Sequence, residues 1–263
     1  MHTLWKHPAL RIAGLVWIGI GSCAAATPKS VSALPPGTAI PVVLTHTIQA
    51  GKARAGASIA ARSLQIVFYG PSQSIAKGSL VIGHVVESHP FLSPDEPSTL
   101  IFQFDKIVGK HQVLPITVSI RAMANVMEAN SAMMPANPPE TDPAGGTTLI
   151  GGDQVRPGEK QVYAMDGDDV GISNRYGVFS RLEPAEAMGR YTHIVCDSIP
   201  TLQSVAIFSS RACGLYGFPD TELVLTGAGS PRGEIELESK KHTVEIHSGV
   251  AALLQTLDSS QPQ

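Results

Sequence analysis

The chain has 263 residues, 19 Lys and Arg against 22 Asp and Glu, a net charge of −3 and 16% charged residues. No Lys/Arg cluster interleaved with aromatic side chains occurs in it, which excludes the electrostatic footprint of a DNA- or RNA-binding surface. With 25 Gly, 20 Pro and little helical periodicity, the composition points to an all-β construction with many turns.

Lys6, His7 and Arg11 open the chain, and residues 12–20 form an apolar run broken only by Gly. A bilayer-spanning helix needs about 20 apolar residues, so this run is too short for a permanent anchor and reads as an export signal. Ile20-Gly21-Ser22-Cys23 has the form of a lipobox, with small residues before a cysteine whose thiol is acylated. The expectation is a signal peptide over 1–22, lipidation at Cys23, a tether over 23–33, and a protein held at the periplasmic face of the cell envelope, at the outer membrane. Acyl chains contribute about 0.8 kcal/mol per buried methylene, enough in a diacylated cysteine for stable anchoring. Cleavage after Ala24-Ala25-Ala26, or after Val31-Ser32-Ala33, is the alternative, with Cys23 discarded in the signal.

A barrel-like or sandwich domain is expected to begin at residue 34. In 37–48, Ile40, Val42, Leu44 and Ile48 alternate with Ala39, Pro41, Val43 and Thr45, the period of a half-buried strand, and Pro41 predicts an edge position. His46 falls in phase with the apolar set. Further strands are expected at 58–61, 65–68, 80–88, 99–108 and 112–122, separated by Gly70-Pro71, Lys77-Gly78-Ser79, Ser93-Pro94-Asp95 and Gly109-Lys110 turns. This gives a first β segment over 34–127. From 128 to 193 the alternation dissolves among Pro138-Pro139, Gly145-Gly146, Gly151-Gly152-Asp153 and Asp166-Gly167-Asp168-Asp169. That stretch reads as a long, flexible, irregular insertion, poorly ordered over most of 129–188 and suited to be a contact element.

Strands return at 193–195, 204–209, 222–226, 233–238, 244–247 and 251–256, a second β segment over 194–256 that can complete the same barrel, followed by a tail over 257–263. The run from Ile246 to Leu254 echoes that from Leu34 to Val42. The chain has three cysteines, and an odd number in an exported protein asks for an explanation. Acylation of Cys23 leaves Cys196 and Cys213 to pair as a disulfide, two buried free thiols being the other reading.

Three phrases stand in order within 34–120: Gly37-Thr38-Ala39-Ile40-Pro41-Val42-Val43-Leu44, then Ile75-Ala76-Lys77-Gly78-Ser79-Leu80-Val81-Ile82-Gly83, then Phe102-Gln103-Phe104-Asp105-Lys106-Ile107-Val108-Gly109-Lys110. In these the chain resembles the periplasmic β-barrel domain of the scaffold protein of type IV secretion and conjugal-transfer channels. It is also similar to uncharacterised exported proteins of soil bacteria that carry the same phrases with a later element like that from Cys213 to Gly217. The resemblance implies a β-barrel fold and, in function, a part in a secretion-like envelope assembly.

Candidate chemistry is sparse. His84 and His89, like His242 and His247, are five apart, which on regular strands places the rings on opposite faces, the wrong arrangement for a shared metal. Asp166, Asp168 and Asp169 around Gly167 are weak metal candidates resembling part of a calcium loop, but the residues that follow supply no further carboxylate ligands and the stretch reads as a solvated turn. No Gly-x-Ser-x-Gly or His-Glu-x-x-His occurs. Met123, Met127, Met133 and Met134 crowd the entry to the insertion, where methionines form adaptable surfaces or cover a core edge. The expected function is non-catalytic, a structural or interaction module of the envelope without cofactors or nucleic acid. Its expected partners are the membrane and envelope proteins or further copies of itself. The alternative is a protein that binds or processes a small molecule or glycan at the barrel mouth.

Overall fold

A computed structural model describes residues 34–110, 112–134, 146–156, 158–188, 193–230 and 232–258. The expected signal peptide, Cys23 and the tether lie outside the described residues, as do 135–145 of the expected insertion and 259–263 of the tail. The strands are β1 (Ala39–Leu44), β2 (Ile48–Gln49), β3 (Ser58–Ser63), β4 (Val67–Gly70), β5 (Gln73–Ile75), β6 (Leu80–His89), β7 (Ser98–Val108), β8 (Val113–Pro115) and β9 (Val118–Ala124), then helix α1 (Val126–Met133). After it come β10 (Thr147–Thr148), β11 (Gln154–Val155), β12 (Gln161–Tyr163), β13 (Asp169–Asn174), β14 (Gly177–Leu182), β15 (Ala185–Met188), β16 (His193–Cys196) and β17 (Ile199–Ser204). The last are β18 (Gly214–Tyr216), β19 (Glu222–Thr226), β20 (Ile235–Ser239), β21 (Glu245–Ile246) and β22 (Ala251–Thr256). Among the described residues no helix is long and apolar enough to cross a membrane.

The fold is all-β and centres on a nearly closed, barrel-like sheet in the order β18, β9, β22, β1, β3, β6, β7, β20, β19, with β8 added beside β7. Both β segments read from the sequence contribute to this one sheet. Its two ends approach each other at the turn after β19, where a Cβ on Gly227 would lie 2.6 Å from the carbonyl oxygen of Val118 in β9. Strand alternation sets the interior: Val81 and Val85 of β6 and Leu100, Phe102, Phe104 and Ile107 of β7 point inward and join one apolar core with Ile40, Val42, Ile59, Ile120 and Leu254. The rings of Phe102 and Phe104 meet edge to face at 6.0 Å. Gly83 is required at this seam, because a Cβ there would stand 1.9 Å from the backbone oxygen of Gln103.

Pro41 does not mark an edge. β1 lies between β22 and β3, but its pairing with β3 covers only Val42 to Leu44. Leu64 N–H donates to Pro41 O, so the position where Pro41 has no proton faces the end of β3, where the ladder stops.

The stretch expected to be irregular is, in its described part, a second β layer. Strands β10 to β14 and β17 form an antiparallel sheet in that order, with a small core of Leu149, Val162, Ala164 and Val170. The Gly/Asp clusters are tight turns between short strands: Ala164 N–H donates to Asp168 O and Gly167 N–H to Ala164 O. This layer covers one side of the barrel. Strands β1, β9 and β22 are buried on both faces, and their outward residues Ala39, Ala122, Ala124 and Ala251 are small, admitting Ile150, Leu182, Val205 and Phe208 from above. The strand expected at 204–209 is displaced: β17 ends at Ser204 and the chain turns through Ala206 at φ 52°.

Candidate functional site

The interior of the barrel holds the apolar core, so the chemistry-bearing groups lie between the layers, at the mouth and on the outer face. Between the layers the key residue is Arg121, which sits at a β-bulge. The register between β22 and β9 shifts between Leu253 and Leu254, pairing them with Ala122 and Ile120 and leaving Arg121 as the extra residue. Val118 and Ile120 point inward, so alternation turns Arg121 outward, and the bulge sets Ala122 on that same outer face. Only 2% exposed, the guanidinium donates to the carbonyl oxygens of Ala212 at 3.1 Å, Asp197 at 2.6 Å, Glu183 at 2.5 Å and Ser210 at 3.3 Å. Burial pulls its pKa down to about 10, opposed by the charge of Asp197, which leaves it a cation at neutral pH.

Cys196 and Cys213 form a disulfide, tying β16 to the start of β18. Two of the carbonyls that Arg121 holds belong to Asp197 and Ala212, the neighbours of those two cysteines. The sequence shows the cysteine pair but not Arg121, because an isolated arginine in an apolar run carries no signal of the distant carbonyls that it meets. Asp153 lies nearby, 2% exposed, and accepts from Ser210 N–H at 2.6 Å. Burial raises its pKa, with the Ser210 hydrogen bond acting in the opposite direction. With neither group open to solvent, this cluster joins the layers and offers no reaction site.

On the outer face, β3, β6 and β7 bring Ser58, His84 and Asp105 together. Ser58 stands directly opposite His84, His84 Nδ1 is 2.8 Å from Asp105 Oδ2, and Gln103 Nε2 donates to Asp105 Oδ1 at 2.9 Å. The carboxylate orients the imidazole as in a nucleophile–base relay, but among the described residues no hydrogen bond joins Ser58 Oγ to the ring, the contact that would activate a serine. His89 shares this face, contrary to the expected opposition of His84 and His89. A bulge between Val85 and Glu87 adds one residue and flips the alternation. The two rings still serve different carboxylates, His89 Nε2 lying 2.7 Å from Glu87.

Among the other expected candidates, His242 contacts Thr221 and Ser239, and His247 lies 3.7 Å from Glu245. Asp166 Oδ1 accepts from Asp168 N–H, Asp169 Oδ1 accepts from Gly171 N–H, and Asp166 also faces Arg211 at 3.5 Å, so the three carboxylates Asp166, Asp168 and Asp169 shape a turn and do not converge. Among the described residues no group of three or more His, Cys, Asp or Glu is placed to hold a metal ion. Met123 is core, whereas Met127, Met133 and Met134 are exposed on and after α1. The helix starts because Asn125 Oδ1 caps Glu128 N–H at 2.9 Å.

Two clefts remain. One, about 550 Å³, runs between α1 and the Gly151-Gly152 turn and is lined by Glu128, Ser131, Met134, Thr148 and Tyr216. The other, about 460 Å³, lies at the barrel mouth among His46, Gln49, Lys52, Ser58 and Glu245. His46 is exposed there and not part of the core, its Nε2 3.0 Å from Ser58 O. Comparison with protein-family models, with curated proteins and with solved structures finds no match for this chain.

Proposed function

We propose that this chain is a non-catalytic envelope lipoprotein, anchored through Cys23 and acting as a structural or interaction module, in line with its resemblance to the channel-scaffold barrel. The observation that carries the reading is the packed barrel: Phe102, Phe104, Leu100 and Ile120 fill the space that a ligand-binding barrel leaves open. What the molecule offers to solvent is surface, stiffened by a second layer, a disulfide and a buried arginine. The mouth cleft supports the alternative of a small-molecule binder, but its charged walls around Lys52 and Glu245 lead into the filled core and not into a chamber.

The test is the native mass, with co-purifying proteins, of the full-length chain extracted gently from its own membranes. An assembly with other envelope proteins or with further copies is the expected result; a bare monomer carrying a tightly held small molecule would overturn the reading. Cys23→Ala is expected to move the protein from the membrane fraction to the soluble fraction, and an unchanged distribution would remove the lipid anchor from the proposal.

A further inference from the structure

The second layer covers the barrel on one side only. On the opposite side, over β3, β6, β7 and β20, the outward residues Ile82, Val86 and Ile101 are half-buried and belong to none of the apolar clusters. This uncovered sheet face is polarised along its diagonal. At one corner stand Arg62, Lys77, Lys106 and Lys110, and among the described residues none of the four enters an ion pair. Arg62 and Lys106 are placed by register, opposite Leu80 and Ile82 of β6. Lys77 and Lys110 follow from the turns at the same end of those strands. In a chain of net charge −3, four neighbouring cations outside every ion pair of the described residues are a local excess.

The diagonal corner is acidic. Glu87 and Glu236 both flank Ile101, and Glu238 and Glu222 pair across β20 and β19. Glu87 is partnered by His89 and Glu238 by Lys240 at 3.7 Å, while Glu236 and Glu222 have no ion-pair partner among the described residues. Burial, with the charges of Glu238 and Glu87 added, raises the pKa of Glu236, so this carboxylate sits in a field that a cation would relieve. Between the corners lie the apolar residues and the His84–Asp105–Gln103 network.

Resting on the reading of the chain as an interaction module, we infer that this face docks a second copy of the same chain about a two-fold axis near His84 and Gln103. The symmetry requires a self-complementary patch, and this one has that property. Half a turn about an axis that lies in the plane of the face, at right angles to the line joining its corners, lays the basic corner of each copy on the acidic corner of the other, with Ile82 set against Val86 and Ile101. An anionic membrane is a poorer occupant, because the acidic corner of the same face would be repelled by it. The four strands cover roughly 500 Å² per copy at 3.3 Å per residue and 4.8 Å between strands, near the lower limit of specific interfaces. The dimer is therefore concentration-dependent and weakened by salt.

The test uses the full-length protein and two charge reversals, Lys106→Glu and Glu236→Lys, with self-association followed by sedimentation velocity over a concentration series. Each variant alone carries two like-charge contacts per dimer, and its dissociation constant is expected to rise by about 100-fold. Mixing the two variants restores every opposite-charge contact, so a heterodimer of near wild-type affinity is expected; the same holds for the double variant on its own. Circular dichroism identical to wild type shows that both variants fold. A wild-type chain that is monomeric at every concentration would overturn the inference while leaving hetero-partners to be found by co-purification. So would variants that dimerise as the wild type does, or a monomer that instead binds vesicles of anionic lipid through Lys106.

Discussion

Replacing Arg121 by Met keeps the length and apolar stem of the side chain and withdraws five N–H donors from the space between the layers. The carbonyl oxygens of Ala212, Asp197 and Glu183 then lose this donor, while that of Ser210 keeps the Glu183 N–H. A hydrogen bond from a charged donor contributes about 1.5–3 kcal/mol, and an abandoned buried acceptor costs about 1–3 kcal/mol. These contributions do not add in full, because water can reach the part-buried carbonyls of Asp197 and Glu183, and because Met is spared the desolvation that lowers the arginine's pKa to about 10. The net expected loss is about 3–5 kcal/mol, a large share of the 5–15 kcal/mol by which a domain is usually stable. For a domain of this size it corresponds to a fall in Tm of roughly 10 °C. Both tryptophans, Trp5 and Trp17, lie in the expected signal, so the transition should be followed by circular dichroism during urea unfolding. Arg121→Lys should recover little, since one ammonium cannot span four carbonyls held in a fork. A loss under 1 kcal/mol for Arg121→Met at unchanged m-value would refute the view that this residue joins the layers.

Removing the disulfide by Cys196→Ala with Cys213→Ala, across a separation of 17 residues, should lower stability by about 3 kcal/mol. In the wild type both cysteines should resist alkylation until a reductant is added, and labelling of the untreated protein would contradict the bond. Asp153 has its pKa raised by burial, so between its unfolded and folded values the native chain binds more protons and stability falls as pH rises through that window. Asp153→Asn keeps an oxygen for Ser210 N–H and removes the buried charge. It should be more stable than wild type at neutral pH, with the difference closing as pH drops through the carboxylate range; a difference independent of pH in urea titrations would refute the assignment. Gly83→Ala should cost more than the about 1–3 kcal/mol of ordinary overpacking, because its Cβ meets backbone and not a movable side chain. An unchanged denaturation midpoint would show the β6–β7 seam to be looser than described.

The long strands were legible in the sequence because their alternation is strong. The expected 80–88, 99–108 and 251–256 coincide with β6, β7 and β22 to within a residue. The second layer was not, since its strands run two to six residues, carry few large apolar side chains, and are separated by the Gly and Asp that also mark irregular chain. The cysteine pair could be found by counting. The faces of individual residues could not be read past a bulge: one extra residue at Val86, at Asp105 and at Arg121 reverses the alternation, and nothing in residue type announces it. For that reason the shared face of His84 and His89 escaped a period-2 reading, whereas Arg121 escaped because its carbonyl partners come from distant segments.

The position of β22, between β1 and β9, has a consequence for how the chain comes to be folded. The first long strand of the barrel finds one of its neighbours only when the last has been synthesised, because Ala39 is matched to Gln255 and Val43 to Ala251. Pairings of such wide sequence separation make closure late and slow. Until residue 256 has emerged, β1 has β3 on one side but no partner on the other, and the barrel stays open. Under the proposed export route that delay is useful, because a translocation pore passes a thread and rejects a finished barrel.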